Sequence, residues 1–280
     1  MFEKLSRSWA LVKASAAVLQ ADKKLLVFPA LSALCMLVVS LSFFIPAAFA
    51  GVFTRHMAEH VTPLRLIGLF AFYFVQYSVI IFFNSALVAA ASIRLRGGEP
   101  TLADGFNAAK ARLPAILGYA AIAATVGMLL RSLQERAGFL GRWVVGLIGL
   151  AWTLATFLVV PVLVNSDVGP VDAVKRSVDL LKRTWGENLI GNAGIGVVFG
   201  LVTFLVVALG VVLIAASIGS HSPVAMAVAV AVLVIAVMLV ALVQSALQGI
   251  YAAAIYRYAE EGVVGAGFDQ ALIAHAFRPK

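Results

Sequence analysis

Hydrophobic residues fall along this chain in long unbroken blocks, separated by short polar segments. Residues 25–53, 66–93, 113–130, 143–166 and 188–256 contain no Asp, Glu, Lys or Arg. A helix crosses the roughly 30 Å hydrocarbon core of a bilayer with about 20 residues. No water is available there to pair backbone N–H and C=O groups, so an apolar run of spanning length is a helix. Each of the first four blocks reads as one span. The fifth is too long for one, and Gly219-Ser220-His221-Ser222-Pro223 breaks it. The pattern predicts six spans, at about 25–53, 66–93, 113–130, 143–166, 189–219 and 223–256.

A second pattern precedes each odd-numbered span. Phe2, Leu5, Trp9, Val12, Ala16 and Leu19 recur at spacings of three and four, one face of a helix, with Lys4 and Arg7 on the other side. Leu102, Phe106, Ala109 and Leu113 do the same behind Thr101-Leu102-Ala103-Asp104, a capping-box spelling. Val171, Val174, Val178, Leu181 and Trp185 form the third face. Pro170 opens that segment, Gly186 ends it, and Asp172–Arg176 and Asp179–Arg183 are pairs four residues apart. The repeating unit is amphipathic helix, span, outer loop, span, over about 1–93, 94–166 and 167–260. The expected fold is all-α: a polytopic membrane protein of six transmembrane helices plus three cytoplasmic interfacial amphipathic helices. Its helix hairpins form a pseudo-threefold repeat within a single membrane domain over residues 1–280.

Composition agrees. The chain is 62% apolar and 12% charged, against about 45–50% and about 25% for soluble domains. That excludes a disordered chain, a coiled coil and a small disulfide scaffold, and argues against a soluble globular enzyme. The charges also orient the chain. The N-terminal segment, the 94–112 and 167–188 loops and the C-terminal tail hold 16 Lys and Arg, against 5 in the remaining loops. The positive-inside rule then places both termini in the cytoplasm. Arg131, Arg136 and Arg142 run against the rule. Ala48-Phe49-Ala50 spells a signal-peptidase site, but the apolar run before it is too long for a secretory signal, so no cleavage is expected.

Inside the spans the polar candidates are amides: Gln76, Asn84, Asn165, Asn192, Gln244 and Gln248. They either line a path for a solute or bond helix to helix. Gly191, Gly194, Gly196 and Gly200, with Ser85, Ala86, Ala89 and Ala90, allow backbones to approach. Lys4, Arg7, Lys13, Lys175, Arg176, Lys182 and Arg183 are candidates for anionic lipid headgroups, or simply anchor the span ends.

Catalytic spellings are scarce. His56-Met57-Ala58-Glu59-His60 fits a zinc-peptidase pattern, yet it lies in a short loop with no clear third ligand, so no metal is expected. Cys35 is the one cysteine. No phosphate-binding loop, dinucleotide fingerprint or nucleophile elbow occurs, so no cofactor is expected. The basic residues sit at span ends, which argues against nucleic acid as a partner and for membrane lipids.

Several strings carry a family resemblance. They include Ser6-Arg7-Ser8-Trp9, Phe28-Pro29, Phe83-Asn84-Ser85-Ala86-Leu87 and Arg94-Leu95-Arg96-Gly97-Gly98-Glu99-Pro100. Lys182-Arg183-Thr184-Trp185-Gly186, Leu247-Gln248-Gly249-Ile250-Tyr251 and Tyr256-Arg257-Tyr258 continue it. Together they resemble a family of bacterial six-span membrane proteins of unknown function. More distantly, the layout is similar to the membrane region fused to some glycerophosphodiester phosphodiesterases, without the hydrolase domain. The resemblance implies topology and no catalytic residue. The expected role is non-enzymatic, a scaffold or lipid-interacting accessory. The alternative is a small carrier for a neutral or amphipathic solute or lipid.

Overall fold

A computed structural model describes residues 2–49, 63–183, 185–219 and 222–263. Helix α1 (Phe2–Ala21) passes through a 3-10 turn (Lys23–Leu26) into α2 (Val27–Phe49) and then α3 (Pro63–Leu95). Short α4 (Leu102–Ala111) precedes α5 (Leu113–Arg136), α6 (Phe139–Ala155) and α7 (Val159–Asn165). Short α8 (Pro170–Arg183) precedes α9 (Trp185–Gly219) and α10 (Pro223–Glu261). No strand occurs among the described residues. Six stretches are long and apolar enough to cross a bilayer: Lys23–Phe49, Leu66–Leu95, Leu113–Arg136, Phe139–Asn165, Val198–Ser217 and Pro223–Glu261. One short helix followed by two spans, three times over, is the order read from the sequence.

Local chemistry sets the boundaries. The Thr101 hydroxyl accepts from the Asp104 N–H at 3.2 Å, and the Asp104 carboxylate accepts from the Thr101 N–H at 2.9 Å. This reciprocal pair starts α4. Ser222 caps α10 by accepting from the Ala225 N–H at 3.3 Å, with Pro223 in the first turn. At the end of α3, Gly97 takes φ +87°. Its N–H reaches the Arg94 carbonyl at 2.9 Å, and the Gly98 N–H reaches Ile93 at 3.0 Å. These two bonds form a Schellman cap, which needs a residue tolerant of left-handed backbone.

The fourth span departs from expectation. It begins at Phe139 and breaks at Thr156–Leu158. Pro161 has no N–H to offer the carbonyl four residues back, and its ring crowds that carbonyl. The third amphipathic segment also differs. It ends at Arg183, and Gly186 lies inside α9 rather than closing α8. Its most buried stripe is Ala173, Ser177 and Leu180, at 0%, 0% and 3% exposure, while Val171 is 54% exposed. The buried face is thus turned by about one residue from the one read in the sequence, because small residues make the closest approach.

Burial is concentrated toward one end of the bundle. Residues 246–256 of α10, with the single exception of half-buried Gln248, are buried, as are residues 85–91 of α3. Ile116, Ala120 and Ala124 of α5 and nearly all of α7 join them. Toward the other end large apolar side chains face outward, among them Leu37 and Phe44 of α2, Phe204 and Leu209 of α9, and Val228 and Ile235 of α10. In a bilayer that surface meets lipid, which solvates it as well as protein would.

Candidate functional site at the packed end of the bundle

The three short helices all pack at this end. Val12, Val18 and Leu19 of α1 are buried, as are Ala109 of α4 and Leu181 of α8. Phe106 of α4 stacks among Phe28, Phe82 and Phe83, with ring centroids 5.3, 6.3 and 6.0 Å away. Gly105 permits the approach. A Cβ there would lie 2.7 Å from the Ala86 carbonyl oxygen and 2.6 Å from Phe28. Gly249 of α10 likewise meets α3: a Cβ would fall 2.5 Å from Leu87 and 3.3 Å from Asn84 Oδ1. Two of the strings behind the resemblance therefore touch. Gly196 and Gly200, expected to seat a neighbouring helix, have nothing among the described residues within 4 Å of a Cβ; Gly210, against Leu233, makes a close crossing of α9 with α10.

The break in the fourth span is filled from α8. Ser177 Oγ donates to the Ala155 carbonyl at 2.7 Å and accepts from the Leu158 N–H at 3.1 Å. Val159 N–H has turned to Thr156, and Phe157 N–H to Leu154. One hydroxyl thus serves two of the backbone groups that the shortened turn leaves over, the Ala155 carbonyl and the Leu158 N–H. Sequence reasoning missed this residue, since a serine in an amphipathic helix carries no mark of its partner.

The ends of distant helices are tied by charge. Arg257 of α10 donates to the last carbonyl of α3, Leu95, and its Nε bonds Glu261 at 3.1 Å. Arg96 reaches the same Glu261 at 2.8 Å. Arg112 pairs with Asp167, and Arg176 with Glu260. On α8 Asp172 pairs with Lys175 at 3.2 Å rather than with Arg176, and Asp179 meets Lys182 at 3.9 Å; the Arg183 side chain of the other expected pair lies outside the described residues. Arg176 is drawn to α10 instead. A cleft of about 440 Å³ beside them is lined by Val168, Asp172, Lys175, Arg176, Asp179, Leu180 and Glu260. Three carboxylates there face two cations. At the start of α4 the Thr101 hydroxyl and then its N–H hold the Asp104 carboxyl below its ordinary pKa.

Among the intramembrane amides, Gln76 is buried and its Nε2 donates to Ser40 Oγ at 2.7 Å, joining α3 to α2. Asn84 abuts Gly249. Asn165 is exposed at the end of α7, where Nδ2 bonds the Pro161 carbonyl at 2.9 Å. Gln244 and Gln248 are half-buried on α10. The side chains of Lys4, Arg7, Arg183 and Asn192, and the segment His56–His60 with His221, lie outside the described residues. No group of three metal-ligating side chains occurs among the described residues.

Six apolar spans and short helices packed at one end define a polytopic all-α membrane protein. The chain belongs to a family of unknown function, DUF6159, whose model matches residues 64–268. No curated protein and no solved structure matches it. Neither the distant likeness to phosphodiesterase-linked membrane regions nor a bacterial source draws support from these matches.

Proposed function

We propose that the protein is a non-enzymatic component of the bacterial inner membrane, a scaffold that interacts with lipid, with both termini in the cytoplasm. One observation carries this reading: two polar side chains, one inside a span and one beside it, bond helix to helix. Gln76 ties α3 to α2, and Ser177 completes the broken fourth span. Purified protein in liposomes should turn over neither phospholipid, glycerophosphodiester nor peptide substrates; turnover of any would defeat the proposal. For orientation, single cysteines at positions 96 and 136 in a Cys35→Ser background separate the two sides. An impermeant thiol reagent added outside cells should label position 136 alone.

A second reading, a carrier for a neutral or amphipathic solute, rests on a different observation. Among the described residues, Ser15 Oγ, Ser85 Oγ and Gln76 Oε1 are buried without a hydrogen-bond partner. Such groups are costly unless something polar visits them. Asn84→Leu and Gln248→Leu should then abolish uptake of the carried solute into proteoliposomes while the helical signal stays intact. Uptake unchanged in both would remove this reading.

A further inference from the structure

We propose that a cleft on the α5–α6 hairpin binds the phosphate of an anionic phospholipid headgroup, gripped by Arg131 and Arg142. This rests on the reading of the chain as a lipid-interacting membrane component and names the headgroup and its seat. The cleft measures about 480 Å³ and is lined by Arg131, Gln134, Glu135 and Arg142. That volume lies within the range of about 300–1,000 Å³ typical of ligand sites.

Its charge differs from that of the cleft beside α8. Two guanidinium groups face one carboxylate, whereas the α8 cleft holds more carboxylates than cations. Arg131 uses Nε on Glu135 at 3.0 Å and one terminal nitrogen on the Tyr73 hydroxyl. Arg142 uses Nε on the Ala137 carbonyl at 3.3 Å and has no acidic partner among the described residues. Terminal N–H groups therefore remain on both. Planar guanidinium forks match phosphate oxygens and bind them in pairs. The Arg131–Glu135 link is 60% and 65% exposed at its two side chains. Exposed pairs of this kind contribute only about 0–1 kcal/mol, so a phosphate can compete for the arginine.

Depth fits a headgroup. The charge-free stretch of α5 ends at Leu130, one residue before Arg131. Phe139, Leu140 and Trp143 are 78%, 78% and 66% exposed around the hairpin tip. Large apolar side chains with a Trp among them mark the boundary between acyl chains and headgroups. Leu129 and Leu133 lie exposed on the same helix and offer an acyl chain a path along α5. The proposal also accounts for the sequence feature that ran against the positive-inside rule. Arginines that hold an outer-leaflet phosphate are retained for that contact.

The test uses the full chain in detergent. Dioleoyl phosphatidylglycerol, dioleoyl phosphatidylcholine and inorganic phosphate are titrated separately, with bound adducts counted by native mass spectrometry. Phosphatidylglycerol should be held about tenfold more tightly than phosphatidylcholine, which carries the same phosphate but adds a choline cation that the two arginines repel. Arg142→Gln and Arg131→Gln should each erase most of that preference, and Arg142→Lys should keep part of it. The variants are compared at equal helical circular dichroism; if one fails to fold, the other decides. Equal retention of the two lipids, or an unchanged preference in the folded Gln variants, would overturn the headgroup assignment. Inorganic phosphate displacing phosphatidylglycerol at equal concentration would overturn the lipid as the source of the phosphate. Retention of no lipid of either kind would instead defeat the broader lipid-interacting reading.

Discussion

The hydroxyl of Ser177 donates to the carbonyl of Ala155 at 2.7 Å, from a different helix. A helix that surrounds itself with apolar groups cannot leave a carbonyl unpaired, and here a neighbour supplies the missing donor. The short helix α8 is therefore part of the fourth span's hydrogen bonding as well as a cover for it.

Ser177→Ala should lower stability by about 1–3 kcal/mol, the penalty of leaving buried backbone groups unpaired. Pro161→Ala restores an N–H and lets the helix re-form through the break. In that background the serine should matter less, since interacting sites are not additive. Thermal unfolding of all four variants in one detergent checks this. An identical loss from Ser177→Ala in both backgrounds would show that the hydroxyl and the break are unrelated.

Gly105→Ala should destabilise by about 1–3 kcal/mol, as overpacking does, because the added methyl meets the fixed Ala86 carbonyl as well as Phe28. Gly146→Ala is the control. Nothing lies within 4 Å of a Cβ there, and alanine in a helix interior gains about 0.5–1 kcal/mol over glycine. The comparison is read from midpoints of unfolding, and a Gly105→Ala midpoint at or above wild type would refute the close packing of α4 on α3.

Arg257→Gln removes the donor to Leu95 and the link to Glu261 together. A loss of about 1.5–3 kcal/mol is expected, the range for hydrogen bonds to a charged group. Glu261→Gln should cost less, since Arg257 keeps its carbonyl contact. Hydrogen exchange at the last turn of α3 would report the difference, and equal exchange in the two variants would rule out a cap made by Arg257.

The α4 cap should weaken in acid. Asp104 has its folded pKa lowered, first by the Thr101 hydroxyl and then by the Thr101 N–H. Its contribution is therefore present above the unfolded carboxylate pKa and is lost as pH falls through the lower folded one. Asp104→Asn should remove that part of the acid dependence. Titration followed by NMR of Asp104 would check the direction, and a value at or above the ordinary carboxylate range would contradict it.

The spans were legible because they are written in long blocks. Ser222 and Pro223 divided the longest one where the helices do divide, and Thr101 with Asp104 marked a cap that forms. What stayed hidden depends on small residues and distant partners. Hydrophobic periodicity weighs bulk, so it set the face of α8 on its valines, while the closest contact uses Ala173 and Ser177. Pro161 is visible in the sequence, but Ser177, whose hydroxyl enters the break before it, lies 16 residues further on. Gly196 and Gly200 have the spacing of a packing motif, yet Gly105, Gly210 and Gly249 make the tight approaches. The link from Arg257 to Leu95 spans 162 residues, beyond any local pattern.

That last link constrains the order of assembly. The ribosome makes α3 long before α10, and α3 enters the bilayer with its final carbonyl still lacking the arginine that will close it. Its buried alanines and Leu87 also wait for Gly249 and the residues after it. The early hairpins must persist as loosely joined spans, and the core sets only when the last helix arrives. A chain stopped before Gly249 would have most of its spans in place and no lock to hold them.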